Sequence, residues 1–243
     1  MLTPKHKIFN NVKSINIFDA VILSASLVTV VLSIFNDKEA LLYVMPVIII
    51  TIICKYLFYY KKKCNVCYII GLLAVLASDI LAYLDFKKNF ILITILTTLY
   101  EIGCIMAIKK FLNKGKFTIL LSASALLAFT AFGYILFSIL KHLVFTLPSN
   151  QWFFMFLCSF FMVVLLVLIS IIHIKNAYYA SIYLLISGIF FFCQMLLSSI
   201  NEYLFYLKTI TIVTLIFHIA SMYFFMTFLI KMLKNKSEEK VYV

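Results

Sequence analysis

VCYIIGLLAVLASDILAYLDFKKNFILITILTTLYEIGCIMAI, residues 66–108, is two apolar runs joined by a short polar loop, Asp85-Phe86-Lys87-Lys88-Asn89. Neither run alternates apolar with polar residues. Each is about 20 residues long, the length of an α-helix that crosses the ~30 Å hydrocarbon core of a bilayer. Barrel strands are ~10 residues long and alternate, so a β-barrel is excluded. The first run carries Asp79 and the second carries Glu101. A carboxylate inside a membrane is costly enough to be a functional-site candidate wherever it occurs.

The same pattern recurs on both sides of this hairpin. Of the 243 residues, 65% are hydrophobic and 12% charged, and the mean hydropathy is +1.12. A soluble domain has about half its residues apolar and about a quarter charged. The excess falls in blocks separated by short lysine-bearing loops. Residues 1–15 form a basic lead with Lys5, Lys7 and Lys13. The run that follows, 16–35, is too long for a secretory signal and lacks a small-residue cleavage site, so it reads as a retained first span. Further spans are expected at 41–60, in the two arms of the hairpin, and at 117–140, 151–172, 177–200 and 206–230. Residues 231–243 read as a charged, disordered tail.

The expectation is therefore an all-α, polytopic integral membrane protein with eight transmembrane helices in one membrane domain, residues 16–230. Pro46 is expected in the first turns of span two, where proline is best tolerated. Span five is rich in small residues (Ser122, Ala123, Ser124, Ala125, Ala128, Ala131 and Gly133), which implies close packing against its neighbours.

The net charge of +12 comes from lysine alone, with no arginine in the chain. Eight spans put both termini on one side, and that side holds 15 of the lysines against 5 on the other, Lys55 lying within a span. The positive-inside rule makes the termini cytoplasmic. Lysines spread over inter-span loops are a topological signal, so nucleic acid is not an expected partner and membrane lipids are. The absence of arginine, with abundant Ile, Phe and Asn, points to AT-rich coding and a bacterial cytoplasmic membrane. No Gly-x-x-x-Gly occurs, which leaves the oligomeric state open.

A shift of 117 residues superposes spans three and four on seven and eight without gaps. Gly71 then falls on Gly188, Asp85 on Glu202, Thr97 on Thr214, and Glu101 on His218. Four-span repeats of this kind are parallel, related by an axis along the membrane normal. Chance matches between apolar helix pairs give the competing explanation. Asp79 falls on Leu196, so the second half has no counterpart of this carboxylate.

At a rise of 1.5 Å per residue, Asp79 lies roughly 12 Å and Glu101 roughly 20 Å below the outer loop, too different in depth to share a proton directly. Lys55 lies at the level of Glu101, so a Lys55–Glu101 ion pair is expected. Asp79 has no basic partner in view, which suits a general acid or a proton carrier. His218, near mid-membrane, and Gln194 in span seven are polar groups that either bind substrate or bond neighbouring helices. Cys64 and Cys67 form a single Cys-x-x-Cys without a second pair, and free thiols are the expectation. No phosphate loop, nucleophile elbow or zincin motif is present, and no cofactor or metal is called for.

The order of these features resembles the YhhN family, eight-span membrane proteins that include lysoplasmalogenases. That family carries Lys-Pro near the start of span two, Gly-Asp in span three, a histidine in span four and Ser-Asp in span seven. The corresponding stretches here are Met45-Pro46, Ser78-Asp79, Tyr100-Glu101 and Phe192-Cys193-Gln194-Met195-Leu196-Leu197, with Ser199-Ile200-Asn201 after the last. Pro46 and Asp79 are kept; the lysine, the histidine and the second aspartate are Met45, Glu101 and Gln194. The resemblance implies hydrolysis of the vinyl-ether bond of lysoplasmalogens, a chemistry whose proton donor and steadying carboxylate Asp79 and Glu101 could supply; His218, Gln194 and Lys55 are the candidate substrate-binding residues. A small proton-coupled transporter and a non-catalytic lipid- or partner-binding protein are the alternative readings.

Overall fold

The computed structural model describes residues 17–35, 38–60, 64–112, 119–175 and 178–238, with side chains described for all of these except 38, 119–129 and 233–238. The basic lead, the Lys61-Lys62-Lys63 run, much of the loop before span five, the end of the tail, and the side chains of Ser122, Ala123, Ser124, Ala125 and Ala128 lie outside that set. Among the described residues eight α-helices are formed: α1 (Ile17–Phe35), α2 (Lys38–Tyr60), α3 (Val66–Asp85), α4 (Phe90–Ile108), α5 (Ile119–Thr146), α6 (Ser149–Ile174), α7 (Ser181–Tyr203) and α8 (Lys208–Glu238). A 3-10 turn, Lys109–Phe111, extends α4. Among the described residues there is no strand.

Seven of the helices, all but α5, are long and apolar enough to cross a membrane. In α5 the described apolar stretch is Thr130–Thr146. This is a helical integral membrane fold, because only helices satisfy every backbone group within one chain segment in hydrocarbon.

Local chemistry sets the hairpin. The Asn65 side chain caps α3 by accepting from the Tyr68 amide at 3.3 Å. At the far end Asp85 Oδ1 accepts from the Lys88 amide at 3.0 Å. The Asn89 amide group donates to the carbonyls of Leu81 at 3.3 Å and Asp85 at 3.0 Å, and the Asn89 backbone amide also reaches the Asp85 carbonyl at 3.1 Å. Between these ends α3 and α4 approach closely at two glycines. A Cβ on Gly103 would lie 2.5 Å from the Cys67 carbonyl oxygen, and one on Gly71 would lie 3.2 Å from Tyr100 Cα.

Helix pairs α2–α3, α3–α4, α4–α6, α6–α7, α7–α8 and α8–α2 are all in contact, so six helices close a cycle. Helix α1 packs on α2 and α8, and α5 packs on α6 and α7, both outside it. The core lies within the cycle, where Tyr56, Tyr68, Ile52, Leu72, Phe225 and Met226 are fully or almost fully buried.

Four expectations need correcting. Helix α2 begins at Lys38, so Pro46 falls in its third turn, inside the helix rather than in its first turns. Helix α5 runs to Thr146, six residues beyond the expected end, because nothing before Pro148 breaks it. Helix α8 continues to Glu238 through the first part of the segment read as a disordered tail. The stretch after Ile230 holds no glycine or proline, and Lys, Met, Leu and Glu are good helix formers. A Cβ on Gly133 would meet no described atom within 4 Å, so among the described residues this glycine of α5 has no close neighbour.

Candidate functional site

Helical spacing puts Asp79 and Ala82 on one face of α3, with Phe86 at its C-cap continuing that face, and Gln194 and Ser198 on one face of α7. These five residues, with His218 of α8, line two cavities at once. The first, about 120 Å³, is bounded mainly by apolar side chains, including Leu136, Ile139, Leu140 and Leu143 of α5 and Met155 and Met162 of α6, with the hydroxyls of Ser78, Thr94, Thr97, Ser159 and Ser199 among them. The second, about 140 Å³, reaches the α7–α8 connection and carries Ser33, Asn201, Glu202, Thr211 and Thr214.

At the wall common to both, the imidazole Nε2–H of His218 donates to Asp79 Oδ2 at 2.9 Å. Both side chains are largely buried, 7% and 16% exposed. His218 Nδ1 has no hydrogen-bond partner among the described residues. A carboxylate that holds one ring nitrogen fixes the ring's orientation and tautomer, and the other nitrogen is left to exchange a proton. Asp79, read from sequence as lacking a basic partner, has one on the last helix. Beside it, the Ser78 and Thr97 hydroxyls are 3.3 Å apart and tie α3 to α4.

Glu101 stands apart from this pair. It is completely buried and lines neither cavity. Its Oε1 is 3.9 Å from Cys158 Sγ, and Oε2 has no partner among the described residues. Cys158 itself lines the apolar cavity, so Glu101 lies behind that wall.

The expected Lys55–Glu101 pair does not form. Lys55 Nζ instead makes a salt bridge to Asp19 of α1. Tyr223 of α8 donates its hydroxyl to the same Asp19 oxygen at 2.8 Å, and the ammonium sits 4.8 Å from the Tyr223 ring centroid. Equal depth was the ground for the expected pair, but Lys55 faces α1 and α8 while Glu101 faces α6. Lys55 lines neither cavity, whereas His218 and Gln194 line both.

Sequence reasoning missed Asp19, Tyr223 and Glu202. Asp19 had a usable signal, since it is a carboxylate two residues into an apolar helix. Comparison with protein-family models, with curated proteins and with solved structures gives no match for this chain.

Proposed function

We propose that this chain is a YhhN-like integral membrane hydrolase that cleaves the vinyl-ether bond of lysoplasmalogen-type lipids, with Asp79 and His218 as its acid–base pair. The observation that carries the reading is the 2.9 Å Asp79–His218 contact on the common wall of an apolar and a polar cavity. An amphiphile with its chain in the first cavity and its head in the second would hold its ether bond at that wall. Protonated His218 gives its proton to the alkene carbon remote from oxygen. The resulting oxocarbenium is steadied by the Asp79 carboxylate. Water from the polar cavity adds to it and returns a proton to His218. The hemiacetal then collapses to a fatty aldehyde and a glycerol hydroxyl. Glu101, which lines neither cavity, is left out of this chemistry.

Aldehyde release from a lysoplasmalogen by the purified protein in liposomes tests this. Asp79→Asn should abolish it, and His218→Ala should slow it at least about 100-fold. Full activity in either variant, or none in the parent chain, overturns the reading.

The same reading takes all eight helices as spans in a bacterial cytoplasmic membrane, with cytoplasmic termini. It also takes α1–α4 and α5–α8 as parallel repeats. In support, moving four helices along the chain maps the six-helix cycle onto itself. The glycines differ between the halves: Gly71 meets the backbone of α4, while Gly188 meets Ile169 and Leu166 of α6.

A proton-coupled carrier is the second reading. It is favoured by the Lys55–Asp19–Tyr223 group, which meets α8 five residues beyond His218 and gives that helix two ionisable stations. Uptake into proteoliposomes that ignores both pH and Asp79→Asn counts against it.

A further inference from the structure

Sulfur is concentrated on one wall of the apolar cavity. Met155, Cys158 and Met162 of α6 and Met195 of α7 all line it. Met155 and Met162 stand three residues before and four residues after Cys158. Those are the two spacings at which side chains on a helix are neighbours, about 5–6 Å apart at Cβ. All three are buried. Met195 comes from the next helix at nearly the same depth. Counted from Ser149 and Tyr203, the ends of α6 and α7 on one side of the bundle, Cys158 lies roughly 14 Å and Met195 roughly 12 Å deep. Depth alone does not bring two side chains together, but these two face one cavity and their helices are in contact.

The donor set says what such a wall can hold. Among the described residues no three His, Cys, Asp or Glu side chains come together to hold a metal, so the donors here are not those of a zinc or magnesium site. Thiolate and thioether ligands are soft and select Cu(I). Methionine has three rotatable bonds and a polarisable sulfur, so its thioether can turn toward an ion. No lysine lines the cavity to repel a cation. A cysteine binds metal only as its thiolate, and the proton it gives up needs an acceptor. Glu101 stands directly behind the sulfur: its Oε1 accepts from Cys158 Sγ at 3.9 Å, and its Oε2 has no partner among the described residues.

We propose that this wall binds one cuprous ion, with Cys158 as a thiolate ligand and Met155, Met162 and Met195 as thioether ligands. Binding breaks the S–H bond of Cys158 and forms a sulfur–copper bond. The proton passes to Glu101 and from there to solvent, and the copper keeps its oxidation state. Cation and thiolate cancel, so the apolar surroundings take up no net charge, which they would resist. The site stands whether or not Asp79 and His218 carry out hydrolysis, since neither belongs to the sulfur set.

Cu(I) binding to the purified full-length protein in detergent tests the proposal, read by competition with a chromogenic Cu(I) chelator under oxygen-free, reducing conditions. Cys64 and Cys67 offer two further soft thiols, so every chain tested carries Cys64→Ser and Cys67→Ser. That background chain should hold one Cu(I), and x-ray absorption at the copper edge should show sulfur alone in the first shell. Cys158→Ser should weaken binding at least about 100-fold, and Met155→Leu with Met162→Leu at least about tenfold, as soft ligands are lost. Leucine keeps the volume of methionine, so the double variant removes ligands without opening the core, and unchanged elution and thermal midpoint show that each variant folds. Absence of Cu(I) from the background chain overturns the proposal, as does a first shell of nitrogen or oxygen. Undiminished binding by folded Cys158→Ser overturns it, and so does undiminished binding by the folded methionine variant. Zn(II) held as tightly as Cu(I) would also overturn it, because the wall would then select no soft ion.

Discussion

Two acidic residues on adjacent helices meet opposite fates. Asp79 is held by His218 beside two cavities, whereas Glu101 is sealed behind Cys158 with one oxygen unpartnered. A buried ionisable group with so few partners does little for stability, and an apolar side chain of similar length can replace it without loss. Glu101→Met should therefore unfold at a midpoint no lower than the parent chain, measured by thermal unfolding in detergent. Lys55 behaves differently, because it is 6% exposed and bonded to Asp19. Lys55→Met should cost on the order of 2 kcal/mol by leaving Asp19 with its Tyr223 bond alone. The double variant Lys55→Met, Asp19→Asn should recover part of that loss in a double-mutant cycle.

At this scale the sequence is informative about which residues are unusual and silent about what they touch. Asp79 stands out because a charge in an apolar run is rare. Its partner lies 139 positions away, and no local pattern ties α3 to α8. Depth along a helix follows from counting residues, but direction around the helix axis depends on packing. That is why Lys55 reads as a match for Glu101 and instead binds Asp19.

Among the elements, the α3–α4 hairpin is the most legible. Its polar loop and its cap at Asn65 are local, and the helix bounds follow from them. The ends of α5 and α8 are less legible, since neither has a breaker at the point where the apolar run stops. Glycine positions separate the two cases by experiment. Gly103→Ala presses a methyl against the Cys67 carbonyl and should cost about 1–3 kcal/mol. Gly133→Ala meets no atom and should be neutral or stabilising by up to about 1 kcal/mol. The two thermal midpoints should move in opposite directions or by clearly different amounts.

For the whole molecule, apolar blocks of spanning length are enough to make the helical membrane class legible. The order in which helices surround the core is not, because every span offers apolar surface all round. If the termini are both cytoplasmic, a C-terminal green fluorescent protein fusion should fluoresce and a C-terminal alkaline phosphatase fusion should be inactive. The reverse pattern would turn the assembly over in the membrane, since the lysine bias is the basis of the orientation.

The place of α5 has a kinetic consequence. The six-helix cycle is complete without it, and α5 rests on two neighbours while closing one side of the apolar cavity through Ile139 and Leu143. A displacement of α5 would open that cavity sideways to the acyl chains and leave the Asp79–His218 contact undisturbed. If α5 is a span, as the proposed function takes it, loading from the bilayer would be limited by a single peripheral helix moving through lipid. Its rate should fall in stiffer, more ordered membranes even where the affinity of the site is unchanged.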